Sequence, residues 1–211
     1  MKHYVNNSTK GWWRVYFRIK WQKDKAPSWY IDLILAHKII SPVLEKYEDN
    51  LIFWRFHRRA IQDNAGHQFS FIFYTLPEIG DQIIDTVKSN KLLKEMEKDG
   101  LIVEWDFEEP NMTTQFNIED TSDPKWSPLI KKSWPYFIMG VSKMWLTLID
   151  QIAKEFSNKQ KHLTLLQIYQ KVNEEIKQLW REQGHHSLLH HLNAIFGYEP
   201  IIIYEQRLMR F

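Results

Sequence analysis

The densest group of side chains capable of chemistry lies in one segment, residues 54–59, with the sequence WRFHRR. Along an extended strand Arg55, His57 and Arg59 point to the same side, with about 7 Å between consecutive members of the row. A guanidinium binds carboxylates and phosphates through paired N–H groups, and an imidazole exchanges a proton near neutral pH. We therefore predict that this row binds an anion and that His57 can serve as a general acid or base.

Two further arginines alternate with apolar residues in the segment 12–21. Period-two alternation of this kind predicts a half-buried strand, with Arg14 and Arg18 on the polar side. If the apolar row packs under helices, these arginines share an open face with Arg55, His57 and Arg59, and we predict that they contribute to the same ligand site. The alternative is an ordinary sheet face on which the arginines pair with Glu104 and Asp106.

Four histidines are close together near the end of the chain, at positions 185, 186, 190 and 191. On a helix His186 and His190 share a face, because residues four apart are neighbours. A zinc ion needs further ligands, and the sequence has none at the required spacing, so we expect no metal. We also expect no cofactor, because the chain has no phosphate-binding loop and no dinucleotide-binding fingerprint.

The order of predicted elements over residues 11–108 is β-α-β-β-α-β. The strands are predicted at 12–21, 51–59, 67–75 and 101–108, and the helices at 28–47 and 77–98. This order is typical of a ferredoxin-like fold, in which a four-stranded antiparallel sheet has both helices on one face. The sequence therefore predicts an α+β protein.

The second half of the chain is predicted to be helical after a long polar link at 109–128. Apolar residues at spacings of three and four predict helices at 129–156, 163–181 and 187–196. Pro135 leaves open whether the first is one helix or two. A last strand is expected at 200–204, and we predict that residues 1–211 form a single domain.

Composition limits the classes of protein to which the chain can belong. Lys and Arg number 28 and Asp and Glu 26, so the net charge of +2 does not by itself indicate a nucleic-acid or membrane partner. The chain contains no Cys, which excludes disulfides and thiolate catalysis. We expect a cytoplasmic protein, since neither a signal peptide nor an apolar run long enough to span a membrane is present.

Short motifs at both ends of the chain resemble one protein family. The segment 184–197, GHHSLLHHLNAIFG, is similar to the closing signature of the thiopeptide-type bacteriocin biosynthesis domain, in which Ser-Leu-Ile/Leu-His is followed by Asn and Gly. This family includes the elimination domain of lanthipeptide dehydratases and the thiopeptide cyclases. The front of the chain is similar in the aromatic strand 12–19, in ISPVL at 40–44, in FWRF at 53–56 and in HQFSFI at 67–72.

The resemblance implies a peptide substrate bound in a cleft. Arg55 corresponds to the first strand arginine of the family, His190 to the histidine of its closing signature and Asn193 to the asparagine that follows. It implies that Arg55 holds a carboxylate or leaving group and that His190 acts as the acid or base. Phe69 and Phe71 stand where the family has arginines, so elimination and binding without catalysis both stay open.

Two other functions are compatible with the sequence. In an RNA-binding protein of the RNA-recognition type, Phe69 and Phe71 would stack on bases across the open sheet. In an interaction or assembly protein, the aromatic surface and the segment 200–211 would form a protein interface, including that of a homodimer.

Overall fold

The computed structural model describes residues 9–22, 24–110, 115–160 and 162–200. The chain forms two compact units, Met1–Asn173 and Glu174–Phe211. The first unit thus extends well beyond the link at 109–128 that separates the two predicted halves. The predicted last strand at 200–204 falls outside the described residues, apart from its first position.

A four-stranded antiparallel sheet lies at the centre of the first unit. Its strands are β1 (Gly11–Ile19), β2 (Phe53–Ala60), β3 (His67–Thr75) and β4 (Ile102–Glu108). The strand order is β2-β3-β1-β4, and all neighbouring pairs are antiparallel. The predicted α+β class is therefore confirmed.

The helical segment between β1 and β2 contains a widened turn. It runs from α1 (Trp29–Ile34) through a π-helical turn (Leu35–Ile40) into α2 (Ser41–Tyr47) and a short 3₁₀ turn (Glu48–Asn50). Pro42 has no N–H to bond the carbonyl of residue 38 and would clash with it in a regular α-helix. The π turn accommodates this proline and brings the Ser41 N–H to the Ala36 carbonyl.

The helix predicted at 77–98 is two helices, α3 (Pro77–Lys88) and α4 (Lys91–Lys98). The break has a chemical cause: the Asn90 side chain accepts a hydrogen bond from the Leu93 N–H at 3.2 Å and so caps the start of α4. Gly100 follows α4 with a φ of 66°, a conformation that glycine adopts without strain. The chain can therefore turn directly from α4 into β4.

The core lies between these helices and one face of the sheet. Phe17, Phe69, Phe71 and Phe73 are fully buried there, and the Phe17 ring stacks on Phe69 at 6.2 Å. Helix α3 approaches so closely at Gly80 that a Cβ at this position would lie 2.3 Å from the Trp13 ring. The apolar rows of β1 and β3 therefore pack under helices, as the alternation predicts.

Helix α5 (Pro128–Lys159) is continuous across Pro135, which answers the question the sequence leaves open. A proline at this position frees the carbonyl of Lys131, four residues earlier. The Ser122 hydroxyl donates to that carbonyl at 3.1 Å. The link before α5, which includes a short 3₁₀ helix (Ile118–Thr121), thus supplies a replacement partner for the hydrogen bond that Pro135 removes.

The same helix covers one edge of the sheet. The Phe56 N–H of the edge strand β2 donates to the Ser142 hydroxyl of α5 at 3.1 Å, and Trp145 of α5 packs edge-on against the Phe56 ring at 5.5 Å. A strand edge normally presents unpaired N–H and C=O groups. Here a side chain of α5 satisfies one of these N–H groups.

The second unit contains the C-terminal part of α6 (Leu165–Gly184), a π-helical turn (His185–His190) and α7 (His191–Ile195). Gly197 ends α7 with a φ of 73°. The predicted helix at 187–196 is present, with the π turn as its first part. Among the described residues, no helix combines the length and apolar character needed to cross a membrane.

Candidate anion-binding site on the open face

The face of the sheet opposite the core divides into a covered end and an open end. At the covered end Trp12, Phe53, Ile72 and Tyr74 form an apolar cluster against Ile118 and Met139. The rest, which we call the open face, carries the predicted cationic row. Its residues are Arg14, Tyr16, Arg18, Arg55, His57, Arg59, Gln68, Ser70, Glu104, Asp106 and Glu108.

Arg55 lies where the covered end meets the open face. Its Nε donates to the Thr121 hydroxyl at 2.9 Å, and its Nη2 donates to the Thr121 carbonyl at 3.4 Å. No carboxylate among the described residues lies within ion-pairing distance of it. Burial, followed by the charge of Arg14, lowers the pKa of Arg55 to about 10. A partly buried guanidinium held by neutral oxygens is well suited to bind an anion from solution.

The other arginines of the open face have carboxylate partners. Arg14 pairs with Glu108 at 3.2 Å and also donates to the Ser70 hydroxyl, and Arg18 pairs with Glu104 at 3.1 Å. Arg59 pairs with Asp63 in the β2–β3 loop. The open face therefore combines both sequence interpretations, because three of its arginines are ion-paired and Arg55 has no carboxylate partner in the described part of the chain. Glu108, rather than Asp106, is the second acidic partner.

His57 lies beside Arg55 on β2, and its side chain is exposed. Partial desolvation, followed by the charges of Arg55, Arg14 and Arg59, lowers the pKa of His57. The imidazole is therefore mainly neutral at pH 7 and can accept a proton. Arg55 and His57 therefore lie on the same face of β2, and their roles as anion ligand and base stay predictions.

The predicted residues His190 and Asn193 belong to the second unit. The π turn brings three imidazoles together there, with ring centroids 5.2 Å apart for His186 and His190 and 5.3 Å apart for His186 and His191. The carbonyl of Asn193 accepts the N–H groups of Phe196 and Tyr198. Within the described ranges, no group of three or more His, Asp and Glu side chains is arranged to hold a metal ion.

A buried ionic cluster lies on the helix-covered face, and it was not predicted from the sequence. Asp32 of α1 is fully buried and lies 2.7 Å from Arg58 Nε and 2.9 Å from His67 Nε2. The contact with Arg58 is a hydrogen bond, whereas the contact with His67 is close but not aligned as one. The Arg58 guanidinium also lies between the rings of Trp29 and Trp145. Arg58 thus lies on the helix-covered face, with 29% of its side chain exposed, and not in the anion site.

A second network was also not predicted from the sequence. This network begins at the π turn before α2. His37 Nε2 lies 3.2 Å from Asp150 Oδ1 on α5, and His37 Nδ1 lies 2.6 Å from the Tyr169 hydroxyl on α6. Lys154 and His37 lower the pKa of the Asp150 carboxyl, although burial opposes them. Asp150 is therefore an ionised acceptor, and this assigns the proton of neutral His37 to Nε2 and leaves Nδ1 to accept from Tyr169.

This network predicts a pH dependence of stability. Burial, followed by the charge of Lys38, lowers the pKa of His37 in the folded protein, although Asp150 opposes the shift. The unfolded chain then binds more protons than the folded one below pH 6.5, so the contribution of His37 to stability is complete above that pH and is lost as the pH falls. We expect His37→Gln to reduce the fall in unfolding free energy between pH 7 and pH 5, measured by urea titration.

His162→Gln is the matched control, because His162 is an exposed histidine outside this network. The same fall in stability in the His37 variant and the wild type would contradict the assignment.

Comparison of the chain with known protein families, with characterised proteins and with solved structures found no match.

Proposed function

We propose that this protein binds an acidic peptide on the open face, with Arg55 as the principal contact to a carboxylate. The observation that carries the proposal is the partly buried Arg55 guanidinium, which has neutral hydrogen-bond partners at Thr121 and cationic neighbours on its own face. Taking a charge partly out of water is costly unless a counterion compensates it. A bound carboxylate would supply that compensation.

The row on β2 favours a peptide over a free anion as the ligand. Arg55, His57 and Arg59 repeat at every second residue of the strand. An extended peptide presents its side chains with the same period, about 7 Å. A peptide whose carboxylate contacts Arg55 would therefore place its next residue on the same side against His57.

The structure argues against RNA binding by stacking of bases on Phe69 and Phe71. Phe69 and Phe71, which that alternative requires to stack on bases, are fully buried on the helix-covered face. Their prediction as base-stacking residues is wrong, because the apolar row of β3 forms the core. We propose a cytoplasmic peptide-binding protein, in keeping with the resemblance to peptide-modifying domains, and we assign no catalytic step to it.

A binding experiment tests the proposal. The probe is a fluorescein-labelled decapeptide of alternating Glu and Ser, and its binding is followed by fluorescence anisotropy at low salt. We expect Arg55→Ala to weaken binding about tenfold or more, since a hydrogen bond to a charged group contributes about 1.5–3 kcal/mol. Arg55→Lys should restore only part of the affinity, because a lysine lacks the two-pronged geometry of a guanidinium.

Arg18→Ala is the control, because Arg18 lies on the same face but is already paired with Glu104. We expect it to change the affinity much less than Arg55→Ala. Equal losses of affinity in both variants would mean that peptide binding depends only on the overall charge of the face. Circular dichroism and a urea titration check that Arg55→Ala remains folded, and an unfolded variant would make Arg55 a structural residue and overturn the proposal.

A further inference from the structure

A cavity of about 480 Å³ lies in the first unit, away from the open face. One of its walls is formed by the π turn and α2, with Lys38, Ser41 and Glu45. Helix α5 forms the opposite wall with Lys143, Thr147 and Asp150. A volume of this size falls within the range typical of small-molecule sites.

The charges lining the cavity are balanced. Three lysines, at positions 38, 143 and 154, face three carboxylates, at positions 45, 48 and 150. Lys154 and His37 already satisfy Asp150, with Lys154 Nζ 2.6 Å from its Oδ2. The remaining two carboxylates and two lysines have no ion-pair partner among the described residues. All four of these side chains are exposed, so solvent already screens them, and a ligand that carries both signs of charge can gain a contact with each set.

The two signs of charge are partly segregated. The two carboxylates without an ion-pair partner among the described residues, Glu45 and Glu48, follow the π turn on the α2 side, and Glu45 also accepts a hydrogen bond from the Ser41 hydroxyl at 3.4 Å. Lys143 lies on α5, on the opposite side. Apolar side chains from the start of β2 and from both walls complete the lining, among them Leu51, Trp54 and Leu146. The cavity therefore combines a wall with two carboxylates and one lysine, a wall on which Lys143 is the unpaired charge, and apolar surface.

The His37 network holds the two walls together. His37 belongs to the π turn, and its partner Asp150 lies on α5 and itself lines the cavity. The third member, Tyr169, is buried and packs against His37 from α6. The network fixes the π turn against α5, so the two walls keep their separation before a ligand binds, and less conformational freedom is lost on binding. π turns also recur at functional sites.

We infer that this cavity binds a small apolar zwitterion, namely a dipeptide or a free amino acid with an aliphatic side chain. The ligand ammonium group would contact Glu45 and Glu48, its carboxylate would contact Lys143, and its aliphatic side chain would pack on Trp54 and Leu146. This inference does not rest on the proposed function of the open face, since the two sites share none of the residues that carry them.

Isothermal titration calorimetry with leucyl-leucine tests the inference. We expect measurable binding that weakens about tenfold or more when either ligand charge is removed, in N-acetyl-leucyl-leucine or in leucyl-leucine amide. The double variant Glu45→Gln/Glu48→Gln should weaken binding of leucyl-leucine but not of its N-acetyl form. Lys143→Met should weaken binding of leucyl-leucine but not of the amide.

Lys132→Met is the matched control, because Lys132 is an exposed lysine of α5 outside the cavity. Its affinity for leucyl-leucine should equal that of the wild type. Absence of binding to the wild type would overturn the inference, as would equal binding of the dipeptide and both of its neutralised forms. If leucyl-leucine bound and Lys132→Met weakened it as much as Lys143→Met, the assigned orientation would be wrong.

Discussion

Asp32→Ala is expected to lower the free energy of unfolding by about 3–5 kcal/mol, the cost of removing one partner from a buried ion pair. Asp32 is fully buried between Arg58 and His67, and the Arg58 guanidinium is held between two tryptophan rings. Without the carboxylate, Arg58 loses its only charged partner among the described residues. A urea titration of the wild type and the variant measures the difference.

Glu104→Ala is the matched control for this prediction. Glu104 is also paired with an arginine, Arg18, but both side chains are about half exposed, at 49% and 40%. Exposed pairs of this kind contribute about 0–1 kcal/mol. If Asp32→Ala costs no more than Glu104→Ala, the buried cluster is not a significant source of stability.

Phe17→Asp is expected to abolish cooperative folding. Phe17 is fully buried at the centre of the sheet and stacks between Phe69 of β3 and Trp105 of β4. Loss of a buried phenylalanine ring costs about 3–5 kcal/mol, and burial of a carboxylate adds several more. The total approaches the whole stability of a typical domain, about 5–15 kcal/mol.

Thermal unfolding followed by circular dichroism tests this prediction. Phe17→Leu is the control, because it keeps an apolar side chain at the same position and should still unfold cooperatively at a lower temperature. A folded, cooperatively melting Phe17→Asp variant would contradict the position of Phe17 in the core.

The strands were the most predictable part of the fold. Alternation of apolar and polar residues has the same period as the sheet itself, so β3 lies at its predicted bounds, 67–75. The same alternation correctly places Arg14, Arg18, Arg55, His57 and Arg59 on one face. Which of them would be ion-paired depends on the register of β4 and on the loop after β2, and alternation carries no information about either.

The irregular parts of the helices were harder to predict. Pro42 and Pro135 look alike in the sequence, yet one lies beside a π turn and the other within a continuous helix. The difference comes from the Ser122 hydroxyl, which compensates the carbonyl freed by Pro135. Since that contact depends on tertiary packing, helical periodicity does not reveal it.

The His37 network could not be predicted for a similar reason. His37, Asp150 and Tyr169 lie on three separate helical segments and come together only when those segments pack. The contact between His191 and His186 could not be predicted either. The two residues are five apart, and they approach each other through the five-residue hydrogen bonding of a π turn, whereas the prediction used α-helical spacing. The roles of His190 and Asn193, the homodimer and the resemblance to peptide-modifying domains stay predictions.

The strand order has a consequence for how copies of this protein meet in solution. Helix α5 covers the β2 edge of the sheet, whereas β4 forms the opposite edge, with Glu104, Asp106 and Glu108 at alternate positions. Two copies of β4 pairing antiparallel about Asp106 would place carboxylate opposite carboxylate at all three positions. Since like charges in register destabilise strand pairing, this acidic row opposes edge-to-edge aggregation.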